Sequence, residues 1–287
     1  MDAARQWTDK ELEAMTQQIR DIYAEANKSI TKDWNEYMTR GQRKLSALYV
    51  QMDKEGTQEA AEAYQKAAAQ YTLRNERYRE MVADTTRRIA DANQIALDYS
   101  NGKLPQIYAM NYNEAVNFGF KFSLISEDVV RRRIVEGNIK LPYKTVDIPK
   151  DMRWNTKKLN SSVLQGIIRG ESMDKIAKRI QPVVDNNRDA AIRNTRTMVT
   201  GAENVGRLDS YKRLESSGVI MQKMWLATPG GRTRDWHADM DGQTVNNDDP
   251  FIDGLGNPLM FPGDPLGEPC SVYNCRCTMT ADIKGFA

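Results

Sequence analysis

"NRDAAIRNTRTMVTGAENVGRLDSYKRLESSGVIMQKMWLAT", residues 187–228, contains the change of hydrophobic period that decides the fold. From Asn187 to Ser217, Ile192, Val199, Ala202 and Leu208 recur at helical spacing. Gly218 supplies a C-terminal stop. The next ten residues, VIMQKMWLAT, have the β-branched and aromatic content of a buried strand. A long helix passing straight into a strand predicts an α+β unit. The same helix carries Arg193, Arg196, Thr200, Glu203, Asn204 and Arg207 in one polar stripe, at steps of three and four. That stripe reads as a solvated face with internal ion pairs. It also reads as a surface under the following sheet that orders its loops, or as one that faces a partner.

Downstream, PGGR (229–232) is a turn, and DGQTV, DGLGNPLMFPGDPLGEP and YNCRCTMTADI read as short antiparallel strands joined by Gly/Pro/Asp loops. This tail holds the chain's single histidine, His237, and its three cysteines, Cys270, Cys275 and Cys277. His237 with Cys275 and Cys277 gives three ligands of the kind zinc favours, with Cys270, Asp235 or Asp241 as a fourth. Residues two apart point to the same side of an ideal strand, so Cys275 and Cys277 can reach one ion. Other readings stay open. His237 with Arg232 and Arg234 would make a general base and phosphate clamp, and a cysteine nucleophile would have His237 as its partner. A purely packed loop would use the cysteines as small apolar residues and Asp235 and Asp241 as caps on backbone amides.

Upstream, the expectation is a largely helical region. Leu12, Met15, Ile19, Ile22, Ala26 and Ile30 lie at helical spacing, with Gly41 as a break or kink. A second helix is expected over 42–53 and a third over 57–99, closed by turn residues in SNGKLP (100–105). Residues 106–135 read as helix with Tyr112, Val116, Phe118 and Phe122 in the core, and 137–155 as an extended connector or hairpin. Two short helices split at Gly170 follow, ended by Pro182. The division expected is 1–150, helical with an extended connector, and 151–287, α+β.

A chain of 287 residues suits two domains. With 40% hydrophobic and 28% charged residues it is globular in composition, and it has no apolar run of membrane-spanning length. The N-terminus lacks the basic start and apolar core of a secretory signal. Three cysteines close together do not make a disulfide scaffold, which fits synthesis in a reducing cytoplasm. Charge is uneven: Lys+Arg against Asp+Glu is 16 to 18 over 1–120, 23 to 14 over 121–240, and 2 to 7 over 241–287. The basic middle suits a polyanion or an acidic protein face, or neutralises the acidic tail.

The order of IRNTRTMVTGAENVGR, SGVIMQKMWLATPGGRTRDWHADMDGQTV and FPGDPLGEPCSVYNCRC resembles the phage minor head protein family, the Mu F-like head morphogenesis proteins, over about 155–280. The resemblance implies a low-copy virion component, made in the bacterial host cytoplasm and placed in the head interior or at the portal vertex. It implies roles in head assembly, DNA packaging or DNA ejection rather than enzymology. The partners implied are the phage portal protein, major capsid or scaffold protein, and packaged double-stranded DNA, with no membrane. The alternative is a nuclease-like or transferase-like enzyme using His237 and nearby arginines. Many members have C-x-x-C where this chain has Arg234 to His237, and His-Pro where it has Val272 and Tyr273. The chain thus keeps three of four zinc ligands, with Cys270 as replacement. Otherwise Arg234 fills the vacated place by bonding backbone carbonyls or Asp241, a metal-free cross-link.

Overall fold

The computed structural model describes residues 2–116 and 124–286. Phe118 and Phe122 lie outside the described residues, as does the side chain of Val116. The elements are α1 (Ala3–Glu55), α2 (Gln58–Tyr71), α3 (Glu76–Val116), α4 (Glu127–Val135), α5 (Ile148–Ile168), α6 (Met173–Lys178), α7 (Gln181–Glu215), β1 (Val219–Leu226), α8 (Asp235–Ala238), β2 (Thr244–Val245), β3 (Phe251–Ile252), β4 (Pro258–Leu259), α9 (Pro269–Val272) and β5 (Thr278–Phe286). The fold is α+β, mostly helical, with a small antiparallel sheet near the C-terminus.

Two compact units form, and they interleave in sequence. One comprises Met1–Gln17, Leu97–Lys144 and Ile192–Ala287; the other comprises Gln18–Ala96 and Thr145–Ala191. The expected boundary at 150/151 does not separate them, because α1, α3 and α7 each contribute residues to both units.

The second unit is all-helical. Its core includes Ile19, Tyr23, Ile30, Trp34, Met38, Tyr64, Ile89, Leu159, Val163 and Ile176. The Trp34 indole N–H donates to Thr85 Oγ1 at 2.8 Å, and Tyr78 packs edge-on to Trp34. Gly41 does not break α1. A Cβ there would meet Tyr71 Cε1 at 2.5 Å, so the glycine lets α2's last ring lie against α1. Tyr37 and Tyr71 then exchange hydroxyl-to-carbonyl hydrogen bonds of 2.7 and 3.1 Å. The single helix expected over 57–99 is two, α2 and α3. The expected connector turns helical at Ile148, capped by Asp147, whose carboxylate accepts from the Lys150 amide. The split at Gly170 is present, with φ +65° between α5 and α6.

The first unit holds the sheet. β1 pairs antiparallel with β5 from Val219↔Phe286 to Leu226↔Thr278, with an irregularity at Ile220/Met221, and its other edge pairs with β2. β3 and β4 make a separate two-stranded ladder. The core is shared by α7 and the strands: Leu208, Tyr211, Leu214, Val219, Met221, Trp225, Phe251, Leu259, Phe261, Val272 and Met279. SNGKLP, expected to close a helix, lies inside α3, with Pro105 in the helix. Burial overrides the local turn signal: Leu104 and Ile107 are core, and the Ser100 and Thr195 hydroxyls meet at 2.7 Å. Pro182 likewise does not end a helix but sits in the first turn of α7, where its missing N–H costs nothing.

Candidate functional site

The site is assembled in the α+β unit where the turn before β5 lies along α7. Asn274 adopts φ 60°, a left-handed conformation that asparagine tolerates better than most residues. Cys275 and Cys277 come to the same side, and the Cys277 amide donates to Cys275 Sγ at 3.3 Å. The polar stripe of α7 fixes this backbone. Thr197 Oγ1 accepts from the Asn274 amide (2.9 Å), and the Thr200 hydroxyl donates to the Cys275 carbonyl (2.8 Å). Asn204 donates to the Cys277 carbonyl (3.4 Å) and accepts from the Met279 amide (3.1 Å).

From the other side comes α8. Arg234 is its N-cap position and His237 lies in its single turn. His237 Nδ1 sits 3.6 Å from Cys275 Sγ and 3.6 Å from Cys277 Sγ. The three ligand atoms lie within 4.8 Å of one another, and the residues are 1%, 2% and 2% exposed. Trp225 of β1 stands edge-on to the imidazole at 5.5 Å. The hydrogen bond from the Cys275 thiol brings Cys277 down to about 5 against the effect of burial, aided by His237 and the Thr228 amide. The same bond, with burial, pushes Cys275 up.

The remaining predicted residues fall into two groups. Arg234 donates a hydrogen bond to the Tyr273 carbonyl, tying α8 to the segment before Asn274. Asp241 accepts from the Ala227 amide at 2.8 Å and braces the end of β1. Glu203 accepts from Arg5 Nη1 at 2.6 Å and from the Thr278 hydroxyl at 2.8 Å. Arg207 is 3% exposed and makes a two-pronged contact with Asp2, at 2.8 and 2.9 Å. Arg196 donates to the Asn274 side chain. Glu203, Asn204 and Arg207 are buried, so the solvated-face reading of the stripe does not describe them; among the five charged or amide residues it suits only Arg193, which is exposed. Cys270 and Asp235 are exposed, and neither joins the cluster. For Cys270 the reason is local. Residues 269–272 form α9, which buries Ser271 and Val272 and leaves the intervening face outward.

Sequence reasoning missed three participants. Asp2 and Arg5 reach the site from the first turn of α1, and Arg5 Nη2 donates to the Arg276 carbonyl at 2.8 Å. Nothing local marks them. Lys223 was marked: it occupies an inward position of β1's alternation, between Met221 and Trp225. Its Nζ donates to the Asn247 (3.1 Å) and Met260 (2.8 Å) carbonyls, pinning the loops that carry β2 and β4.

A long helix under a small sheet, with a buried His-Cys-Cys group beside them, defines an α+β module. His237 offers Nδ1 to two sulfurs and is buried, which is a poor stance for a general base. Residues 157–280 match the family described as Phage Mu protein F like protein. The chain is similar to the minor head protein GP7 of Bacillus phage SPP1, 28% identical over 193 residues, 65% of this chain and 59% of that protein. It is also similar to the NAD(+)–arginine ADP-ribosyltransferase EFV of Enterococcus faecalis, 27% identical over 175 residues, 60% of this chain and 33% of that protein. The chain thus spans between a third and three fifths of the length of these curated relatives. No solved structure matches.

Proposed function

We propose that the chain is a minor head protein, a virion component that acts in phage head assembly at the portal vertex or head interior. The observation that carries this is the family match over 157–280, joined to a similarity to a minor head protein extending over 65% of the chain. The site supports it because its buried residues brace backbone rather than open onto solvent. The partners are the portal protein and the major capsid or scaffold protein. Among the described residues no helix is long and apolar enough to cross a membrane. Co-expression of the tagged chain with the portal and capsid proteins of its phage tests the reading: the chain co-sediments with assembled heads. A chain left in the soluble fraction while heads form normally overturns it.

Contact with packaged double-stranded DNA belongs to the same proposal. The guanidinium of Arg196 is held below the usual range by burial and by the nearby charges of Arg276 and Arg232. Phosphate would neutralise that repulsion, so binding should weaken steeply as salt rises. Salt-insensitive or absent binding removes this part. The enzyme reading makes the opposite prediction for His237→Ala: heads that still incorporate the protein but lose an activity. The structural reading expects incorporation itself to drop.

A further inference from the structure

We propose that His237 Nδ1, Cys275 Sγ and Cys277 Sγ hold one zinc ion through three protein ligands, with the fourth coordination position left to a non-protein ligand. This does not rest on the head-assembly reading, whose support is the family match and the similar minor head protein.

The distances point to it first. With Zn–S of about 2.3 Å and Zn–N of about 2.0–2.1 Å at tetrahedral angles, a nitrogen and a sulfur ligand stand about 3.6 Å apart. Nδ1 lies 3.6 Å from each of the two sulfurs.

The backbone also turns a donor toward sulfur. The Cys277 amide donates to Cys275 Sγ at 3.3 Å. Backbone N–H groups aimed at sulfur favour the charged form that a metal requires. Two thiolates in an enclosure this buried carry a desolvation cost that a divalent cation offsets directly. Thiolates and imidazole together select a borderline-soft ion such as zinc over the hard, oxygen-seeking calcium or magnesium.

The fourth position is the distinguishing feature. Among the described residues no other histidine, cysteine, aspartate or glutamate joins the group, and Cys270 is exposed. The residue best placed to complete the set is Arg234, which caps α8 three residues before His237 and acts electrostatically on Cys275. As a cation it cannot ligate. Its guanidinium instead holds the Tyr273 carbonyl, a second link between the same two segments. The ion would therefore cross-tie α8 to the turn before β5, some forty residues on, and its binding energy would add to folding energy.

The test uses the full chain, stripped of metal by chelation under reducing conditions. Elemental analysis of the protein as purified should give one zinc per chain. Titration of the stripped protein with Co²⁺ should produce a thiolate-to-cobalt charge-transfer band and the visible bands of tetrahedral cobalt. Cys270→Ser should keep both signals, whereas Cys277→Ser should lose the charge-transfer intensity of one sulfur and the zinc. Arg234→Cys should tighten zinc binding by about tenfold or more, as a fourth thiolate completes the shell. If stripping unfolds the chain, refolding on zinc addition alone supports the site. A folded, metal-free protein in which Co²⁺ gives no thiolate band overturns it, as does binding that depends on Cys270 rather than Cys277. Either negative result leaves co-sedimentation with heads unaffected, so the two proposals fail separately.

Discussion

At the centre of the helical unit sits Trp34, 1% exposed, with Tyr37 and Tyr78 edge-on around it. At the corresponding depth in the α+β unit sits Glu203, fully buried, with the guanidinium of Arg5 at 2.6 Å and that of Arg207 at 3.7 Å. The helical unit is held by rings and aliphatic side chains whose spacing repeats along each helix. In the α+β unit, an apolar core is supplemented by charged and amide groups that meet across long stretches of chain. An apolar contact has many acceptable partners. A buried carboxylate is stable only with its cations present, so it ties particular residues together.

Glu203→Ala should expose this contrast most strongly. It removes the buried carboxylate that Arg5 and Arg207 share, and breaking a buried pair from one side costs about 3–5 kcal/mol. Chemical denaturation should show that loss, and Glu203→Gln, which keeps the volume and one acceptor oxygen but not the charge, should recover part of it. An alanine variant as stable as the parent would mean that the network does not hold the α+β unit. In the helical unit the match is Trp34→Ala, with an expected loss of about 3–5 kcal/mol from the cavity alone. Here Trp34→Phe should restore part of the stability, because filled volume rather than charge decides; the residual deficit reports the lost ring volume together with the hydrogen bond to Thr85.

The two units also differ in how much of them was legible beforehand. Leu12 to Ile30 and Ile192 to Leu208 announce their helices through local periodicity, and the break at Gly218 announces the sheet. Where local signals failed, tertiary contacts had won. Gly41 serves a ring from another helix, and Pro105 continues a helix because Leu104 and Ile107 are buried. The His-Cys-Cys grouping was legible in its membership, because one histidine and three cysteines leave few combinations. That Cys270 would stand outside it was not, because α9 turns that side chain away. Asp2 and Arg5 were illegible: about two hundred residues separate them from Arg207 and Glu203, and no pattern in α1 points there.

Lys223 gives a smaller and pH-dependent way to sharpen the comparison. Burial, reinforced by Lys212, lowers its ammonium to about 8 from an ordinary value of 10.5. Between those two values the unfolded chain binds the proton more tightly than the folded one, so stability rises as pH rises through that window. The full effect is at most about 3 kcal/mol. Buried tyrosines such as Tyr211, pushed up by burial, act in the opposite sense at the alkaline end. The readout is therefore the difference between the parent and Lys223→Met in urea denaturation at pH 8 and pH 10. The parent should gain relative to the variant at the higher pH. Parallel curves would show that the lysine titrates normally.

The smallest effect is the one expected to be equal in both units. Ser126 caps α4 in the α+β unit, where its hydroxyl oxygen accepts from the Val129 amide at 3.3 Å. Ser172 caps α6 in the helical unit and accepts from the Lys175 amide at 3.4 Å. Both bonds close over three residues, so neither depends on what lies across the unit. Ser126→Ala and Ser172→Ala should each cost about 1 kcal/mol, with glycine at either place costing only a few tenths. Matching losses in thermal unfolding would locate the difference between the units in their long-range contacts, with local helix chemistry common to both. A cap worth several times more in one unit would show that its first turn carries tertiary load, and the contrast drawn from Trp34 and Glu203 would then need to include the helix ends.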